Sequence, residues 1–286
     1  METTSAAIIR IDHGVVSSND LGKSLAFFTD ALGARFERLI GATPRGLARE
    51  VPMLAFFTLA NHHGFGVALQ SETMARRKRV IEGPVWGFEL DEKGIEGAIE
   101  HLKKLGIPFE GPVEYPAPSP LAASIFVADP FDNLCELSTR RNGGASKNAG
   151  QGPVGLRRIS HVRLDVLDLK LAERWYSEVL GLKLTHAVPG DRQLTFEVPV
   201  SGQLFVLQEV EKMAERSLFY RGQHVDVRVP VGRYDAVATR IDNPERYQGH
   251  VATRIPWPEA NVPTVYFYDP FYNRLQLSES KGPAES

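Results

Sequence analysis

The order of apolar and polar positions predicts a β-strand followed by an amphipathic helix near the start of the chain. An apolar, strand-like run extends from Ile8 to Val16. Four apolar positions then recur at spacings of three or four residues, which place them on one helix face: Leu21, Leu25, Phe28 and Leu32. Gly33 is well placed to end this helix. Further strand-like runs follow near 51–59 and 64–70.

The same order of elements recurs further along the chain. A strand-like run at 85–90 precedes a second helical pattern, whose buried face is formed by Ile95, Ala98, Ile99 and Leu102. Strand-like runs near 123–128 and 133–138 come next. The unit is therefore a strand, a helix and three strands (βαβββ), and the second half of the chain repeats it at 157–209 and 222–279. We predict an α+β fold of four βαβββ modules.

Two sequence motifs are repeated between the halves, and such internal repeats define the organisation of a chain. His13 precedes Gly33 by 20 positions, and His161 precedes Gly181 by the same distance. A second motif, Asp-Pro-Phe-x-Asn-x-x-Glu/Gln-Leu, closes each half: Asp129–Leu137 and Asp269–Leu277. These matches predict two domains of similar architecture.

A stretch of low hydrophobicity separates the two halves. Residues 141–153 are rich in Gly and Asn and lack apolar side chains, as flexible linkers do. We therefore expect an N-terminal domain at 1–140, a linker at 141–156, a C-terminal domain at 157–280 and a tail at 281–286.

Composition and charge exclude several classes of protein. The chain has 286 residues, of which 43% are hydrophobic and 24% charged, as in globular proteins. Its formal net charge of −2 provides no electrostatic attraction to nucleic acid or to a membrane surface. No apolar run reaches the roughly 20 residues of a membrane span. The only cysteine, Cys135, allows no intrachain disulfide, so we expect a cytoplasmic protein.

The motifs together resemble those of the vicinal-oxygen-chelate superfamily, which includes glyoxalase I, bleomycin-resistance proteins and extradiol dioxygenases. The resemblance rests on the first-strand histidine, the aromatic-rich helix that closes in Leu-Gly, and the final Asp-Pro-Phe motif. It implies that two modules pair into a cupped, incomplete β-barrel, with metal ligands on the first and last strands of modules. Length and module number are most similar to the two-domain extradiol ring-cleaving dioxygenases.

Strand alternation separates an apolar from a polar face on three strands of the C-terminal domain, because successive side chains point to opposite sides. The polar faces carry His161, Arg163 and Asp165; His224, Asp226 and Arg228; and Arg274, Gln276 and Ser278. Burying so many polar groups without partners is costly. We therefore expect these faces to line a site that is filled by solvent or metal.

The resemblance assigns His161, His224 and Gln276 to metal-ligand positions. Two histidines and a carboxylate with open positions are the usual ligands of non-haem Fe(II). Gln276 stands in the carboxylate position, and a neutral amide oxygen binds iron more weakly. Glyoxalase I relatives do use glutamine as a ligand. Each histidine also has the alternative interpretation of an ordinary structural residue.

The N-terminal domain lacks a comparable set. By its position in the repeat, Trp86 is matched to His224, and indole does not bind metal in this way. His13 and Glu136 remain as one histidine and one carboxylate. We expect this domain to be non-catalytic.

Three further positions are candidates for substrate contacts or catalysis. Tyr266 precedes Gln276 by 10 positions, which matches the active-site tyrosine of extradiol dioxygenases, and it could donate a proton. It could equally be an ordinary strand tyrosine. Arg163 and Arg228 could bind an anionic substrate group, or could pair with neighbouring aspartates.

A rearranged pairing of modules is the alternative to the standard one. In some relatives the first module pairs with the fourth. His13, His62, His224, Tyr266 and Gln276 would then meet in one cup, with His13, His224 and Gln276 as ligands and His62 near the substrate.

The leading hypothesis is a metal-dependent, ring-cleaving dioxygenase-like enzyme that acts on a small aromatic, catechol-like substrate. The expected cofactor is a divalent metal, with Fe(II) first and Mn, Ni or Zn as alternatives. A metal-free small-molecule binding or resistance protein and a glyoxalase-like isomerase or lyase are the competing hypotheses. Beyond the substrate, the partner could be a second copy of the chain in a homo-oligomer.

Overall fold

A computed structural model describes residues 8–47, 53–61, 63–69, 84–91, 93–141, 150–187, 190, 192–213, 223–243 and 262–280. Its strands are β1 (Arg10–Ser18), β2 (Arg35–Ile40), β3 (Leu54–Thr58), β4 (Gly64–Leu69), β5 (Val85–Leu90), β6 (Glu110–Glu114), β7 (Leu121–Ala128), β8 (Leu134–Arg140), β9 (Leu156–Val166), β10 (Lys183–Ala187), β11 (Gln193–Glu197), β12 (Leu204–Glu209), β13 (His224–Val229), β14 (Thr264–Tyr268) and β15 (Arg274–Glu279). Its helices are α1 (Leu21–Ala26), α2 (Pro44–Leu47), α3 (Gly94–Lys104), α4 (Leu169–Glu178) and α5 (Tyr234–Ile241). The predicted α+β class is confirmed.

The strands form two sheets. The seven-stranded sheet has the order β14-β15-β13-β1-β4-β3-β2, and the eight-stranded sheet has the order β10-β11-β12-β9-β5-β8-β7-β6. The first sheet therefore combines strands of the first and fourth modules, and the second combines those of the second and third. The rearranged pairing is the one found, and the standard pairing of consecutive modules does not describe these sheets.

The chain divides into two compact units. The N-terminal unit comprises His13–His161 and Arg216–Gln223, and the C-terminal unit comprises Met1–Asp12, Val162–Glu215 and His224–Ser286. The predicted linker is described only at residues 141 and 150–156. The domain bounds expected from the repeat stay a prediction.

In the N-terminal unit the first helix differs from the predicted amphipathic α-helix. The Asp20 carboxylate caps α1 by accepting a bond from the backbone N–H of Lys23, as N-caps do. From Phe27 the helix continues as a π-helical turn, in which the Leu32 N–H bonds to the Phe27 carbonyl at 3.1 Å. Phe28 is buried there against Phe57 and Phe65 of two strands. The π-helical turn and the packing of these aromatic rings occur together. The spacing of the apolar residues alone did not predict this turn.

In the C-terminal unit α4 lies on its sheet through two aromatic side chains. Asp168 caps the helix by accepting from two backbone N–H groups. Trp175 and Tyr176 are both fully buried, and the Tyr176 ring contacts Phe205 at 5.7 Å between centroids. The Tyr176 hydroxyl donates to Asp269 at 2.8 Å, which connects the helix to the hairpin between β14 and β15.

The repeated Asp-Pro-Phe motif forms a hairpin loop that is stapled by its own aspartate. Asp269 accepts bonds from the backbone N–H groups of Phe271 and Asn273, and Asp129 accepts the equivalent bonds in the N-terminal unit. The Asn273 amide then donates to the Asp165 carbonyl at 2.9 Å, so the loop is tied to β9. Burial raises the pKa of Asp129 to about 6, against the opposing effect of its hydrogen bonds.

Candidate functional site

The C-terminal unit has a polar face formed by three adjacent strands. We call "the polar face" the following side chains of β13, β14 and β15: His224, Asp226, Arg228, Tyr266, Arg274, Gln276 and Ser278. In the registers of these strands Gln276 is the partner of Asp226 on one side and of Tyr266 on the other. Partners in register point to the same side of a sheet, so these three side chains are direct neighbours.

Solvent reaches only part of the polar face. Asp226 is fully buried and Ser278 is 1% exposed, whereas His224, Tyr266 and Gln276 are 6–8% exposed. The half-buried Arg228 and Arg274 are the most exposed members of the polar face. Alternation predicted the polar faces that carry His224 and Gln276. In the structure Tyr266 is the register partner of Gln276, and its ring contacts that of His224.

Tyr266 stands between an imidazole and a guanidinium. The His224 ring packs against it edge-on at 5.2 Å, and the Arg274 guanidinium lies 4.6 Å from its centroid. Burial raises the pKa of Tyr266 to about 12, although Arg274 lowers it; Asp226 raises it further. The phenol is therefore protonated at neutral pH and can donate a hydrogen bond. Alternation placed Arg274 on the same face as Gln276, but the contact of Arg274 with the Tyr266 ring was not predicted from the sequence.

Arg228 is held by carboxylates. Its guanidinium lies 2.9 Å from Asp12 and 3.1 Å from Asp226, and it donates to the Glu279 carbonyl at 3.1 Å. Two buried or half-buried carboxylates on one guanidinium favour a structural ion-pair network over a substrate contact. Arg163, the other predicted substrate ligand, donates to the Gln193 side chain at 3.2 Å.

One cluster of side chains has the composition of a cation site. Asp12, His13 and Asp226 each offer one ligand atom, and these atoms lie within 4.8 Å of one another. Both carboxylates already contact Arg228, so a cation there would compete with the guanidinium. Asp12 was not predicted from the sequence, although it directly precedes His13.

His161 lies on β9 of the eight-stranded sheet, whereas His224 and Gln276 lie on strands of the seven-stranded sheet. His161 is fully buried, and its Nε2 donates to the Glu136 carboxylate at 2.9 Å, since a carboxylate only accepts. Its Nδ1 is bonded to Ser160 at 2.8 Å. Glu136 also accepts from the hydroxyls of Tyr115 and Ser124 at 2.8 and 2.6 Å. The predicted ligands His161 and Glu136 therefore form a closed hydrogen-bonded cluster.

The predicted match between Trp86 and His224 is wrong by one residue. Gly87, not Trp86, is the partner of Glu136 in register, so the residue that corresponds to His224 is Val85. A shift of one residue moves a side chain to the opposite face. The Trp86 indole accordingly packs with Phe65 at 5.8 Å, and a Cβ at Gly14 would lie 2.3 Å from its ring.

Two predicted residues remain, His13 and His62, and the structure describes only the first. His13 lies in β1, next to β13 in the seven-stranded sheet, and its ring contacts Phe56 at 5.5 Å. His62 lies outside the described residues. Among the helices of the described part of the chain, none has the length and apolarity needed to cross a membrane.

Residues 10–137 match the model of the Glyoxalase/Bleomycin resistance protein/Dioxygenase superfamily. The chain contains a domain of this superfamily. The match ends one residue after Glu136 and so includes the first two modules. No curated protein sequence matches the chain at a significant level.

Two solved structures are similar in fold to almost the whole chain. Glyoxalase I from Zea mays is 18% identical with a TM-score of 0.71, over 94% of this chain and 92% of that one. A putative dioxygenase from Bacillus subtilis is 12% identical with a TM-score of 0.73, over 97% of this chain and 87% of that one. At these identities the likeness demonstrates the shared fold and no common activity.

Proposed function

We propose that the chain is a divalent-metal-dependent enzyme with His224 and Gln276 of the C-terminal unit among the protein ligands. The observation that supports the proposal is the position of Gln276 on the polar face, in register with Tyr266, whose ring contacts His224 at 5.2 Å.

The ligand atoms of these side chains suit a divalent cation. Imidazole suits Fe, Zn and Ni, and an amide oxygen suits hard cations such as Mn. Fe(II) is the first candidate, with Mn, Ni and Zn as alternatives. The cation would supply a Lewis acid that gathers two adjacent substrate oxygens. His161 is left out of the set because Glu136 and Ser160 occupy both of its ring nitrogens.

The charge of the proposed ligands favours an anionic substrate. Neutral imidazole and amide ligands leave the full double charge of the cation uncompensated. Coulomb attraction in a nearly buried site is stronger than in water. We therefore expect a substrate that offers two adjacent oxygens, at least one of them ionised or easily ionised.

Tyr266 and Arg274 would contact that substrate beside His224. The protonated Tyr266 hydroxyl can donate to a substrate oxygen, and the Arg274 guanidinium adds a positive charge. This arrangement supports a ring-cleaving dioxygenase that acts on a small aromatic, catechol-like substrate. Members of the superfamily are commonly enzymes, and a putative dioxygenase is among the structural neighbours.

A glyoxalase-like isomerase or lyase is the second candidate. Gln276 favours it, because a neutral ligand in place of a carboxylate suits Lewis-acid chemistry without oxygen activation. A glyoxalase I is also among the structural neighbours.

Metal affinity of the purified chain tests the proposal. Titration with Fe(II), Mn(II), Ni(II) and Zn(II) should give one tight site, and His224→Ala or Gln276→Ala should weaken it by about tenfold or more. His186→Ala is the matched control, because this histidine lies in β10 of the same unit outside the proposed set. It should leave the affinity unchanged.

Three results would decide between the hypotheses. Loss of oxygen uptake on addition of chelator, with a catechol present, would support the dioxygenase. Metal-dependent turnover without oxygen uptake would support the isomerase or lyase. A chain without affinity for any of the four cations, which binds aromatic ligands equally well in chelator, would refute the proposal in favour of a binding protein.

A further inference from the structure

A chain of hydrogen bonds on the polar face connects Gln276 to Asp226. The Gln276 amide nitrogen Nε2 donates to Ser278 Oγ at 2.8 Å, and the Ser278 hydroxyl donates to Asp226 Oδ1 at 2.8 Å. The Thr264 hydroxyl, in register with Ser278 on β14, shares its proton between Ser278 Oγ at 3.3 Å and the Val262 carbonyl at 3.2 Å. All four side chains are 8% exposed or less.

The direction of this chain follows from the chemistry of its members. Asp226 is held by the Arg228 guanidinium at 3.1 Å, and a carboxylate only accepts. Ser278 has a single proton, which it gives to Asp226, so its oxygen can only accept from its remaining partners. The group at position 276 must therefore donate. An amide has two such protons, whereas a carboxylate has none.

The orientation of the Gln276 amide is thereby determined. With Nε2 on Ser278, the carbonyl oxygen Oε1 is turned away from that hydroxyl. A glutamate at this position would compete with Asp226 for the one Ser278 proton, in a region almost closed to water, where an unmade bond is expensive.

The equivalent position in the N-terminal unit has the opposite arrangement. Glu136 is there in register with Gly87, so its register partner on that strand has no carboxylate. Ser124, the counterpart of Thr264, donates directly to Glu136 at 2.6 Å. Ser138, the counterpart of Ser278, instead bonds to the Phe88 carbonyl at 3.2 Å. Each unit thus has one carboxylate in this pair of facing positions. It is Glu136 on β8 in the N-terminal unit and Asp226 on β13 in the C-terminal unit.

We infer that Asp226 and Ser278 are positioning residues that make position 276 an amide ligand and direct its Oε1 toward the bound cation. The pair thereby determines that the centre keeps its full charge and prefers an anionic, chelating substrate. This inference rests on the proposed function for the role of Oε1, but the hydrogen-bond direction itself is a property of the metal-free protein.

Exchanging the carboxylate at position 226 and the amide at position 276 tests the inference. Gln276→Glu alone should lower the urea midpoint of unfolding of the metal-free protein. Asp226→Asn combined with Gln276→Glu should recover at least half of that loss. The reason is that the amide introduced at position 226 would donate to Ser278, and Ser278 would donate to the carboxylate introduced at position 276. The double variant preserves the net charge of the wild type.

Asp12→Asn combined with Gln276→Glu is the matched control. It removes one carboxylate from the same Arg228 cluster without touching Ser278, so it should give no recovery. Equal recovery in both double variants would overturn the inference, since simple relief of charge would then explain it. Additive effects of Asp226→Asn and Gln276→Glu would overturn it as well.

Nickel binding separates this inference from the proposed function. In the Asp226→Asn, Gln276→Glu variant the oriented carboxylate should bind Ni(II) at least tenfold more tightly than the wild type. Ser278→Ala, which frees the amide to rotate, should weaken the wild-type site severalfold. If no variant binds nickel while the stability cycle behaves as expected, the proposed function fails and the assigned hydrogen-bond direction stands.

Discussion

Gly87 leaves the space in which the His161 ring lies, and its replacement by alanine would disturb the buried cluster around Glu136. A Cβ at this position would stand 2.1 Å from Cε1, 2.2 Å from Nδ1 and 2.4 Å from Nε2 of His161. These distances are far below van der Waals contact. The imidazole must therefore move, and it is fully buried with both nitrogens bonded.

The expected cost has two parts. Forcing an extra methyl group into a packed interior costs about 1–3 kcal/mol. Loss of a hydrogen bond to a carboxylate, here the 2.9 Å bond between His161 and Glu136, costs about 1.5–3 kcal/mol. We therefore expect Gly87→Ala to lower the free energy of unfolding by about 3–5 kcal/mol. In a chain of this size that corresponds to a fall in Tm on the order of 10 °C.

Urea unfolding followed by circular dichroism and by tryptophan fluorescence measures this change. Gly97→Ala provides the control, because Gly97 lies within α3 and an added Cβ would meet only Lys93 Cβ, at 3.1 Å. The free energy of unfolding of this control should stay within about 1 kcal/mol of the wild-type value, since alanine is the better helix former.

A Gly87→Ala protein within about 0.5 kcal/mol of the wild type would refute this reasoning, because surface substitutions have effects of that size. His161 would then have room to move, and the cluster would not be closed. His161 would have to be reconsidered as a free ligand.

Three further outcomes are expected. Gln203→Ala should destabilise the chain by about 2–5 kcal/mol and speed hydrogen exchange at Ile11, whose N–H and carbonyl are both bonded by that buried side chain; unchanged exchange would contradict this. In a spectrophotometric titration, Tyr266→Phe should remove a phenol that ionises near pH 12, and loss of one that ionises near 10 would disprove the effect of burial. Burial raises the pKa of Asp129 to about 6, so its contribution to stability should fall by on the order of 3 kcal/mol as pH rises from about 4 to 6. Asp129→Asn should remove that decline. A pH profile of stability for this variant that runs parallel to that of the wild type would contradict the prediction.

Much of the local structure is readable from the chain, because its determinants are local. Helices α1 and α4 begin at the capping residues Asp20 and Asp168. Gly33 and Gly181 follow the helical segments with φ of +80° and +70°, which glycine adopts without strain. The Asp-Pro-Phe motif forms the same stapled loop in both units. The repeat therefore predicted the order of strand, helix and three strands correctly in the first three modules, and the described part of the fourth contains β13, α5, β14 and β15.

Strand register is harder to predict, because the side-chain period of two makes neighbouring alignments look alike. Trp86 and Gly87 are adjacent in a strand whose side chains are all buried, so alternation could not tell which one faces Glu136. The structure assigns Gly87, and with it a position for the His161 ring.

The sequence by itself determined the four modules, the polar faces of their strands and the candidates His13, His224, Tyr266 and Gln276, since short-range spacing and alternation encode all of these. Only the tertiary structure decided which modules share a sheet, because strand pairing depends on contacts between residues far apart in the chain. That pairing places β1 beside β13 in one sheet and β9, with His161, in the other. It also revealed that Asp226, acting through Ser278, faces Gln276, which gives the amide at that position a physical reason.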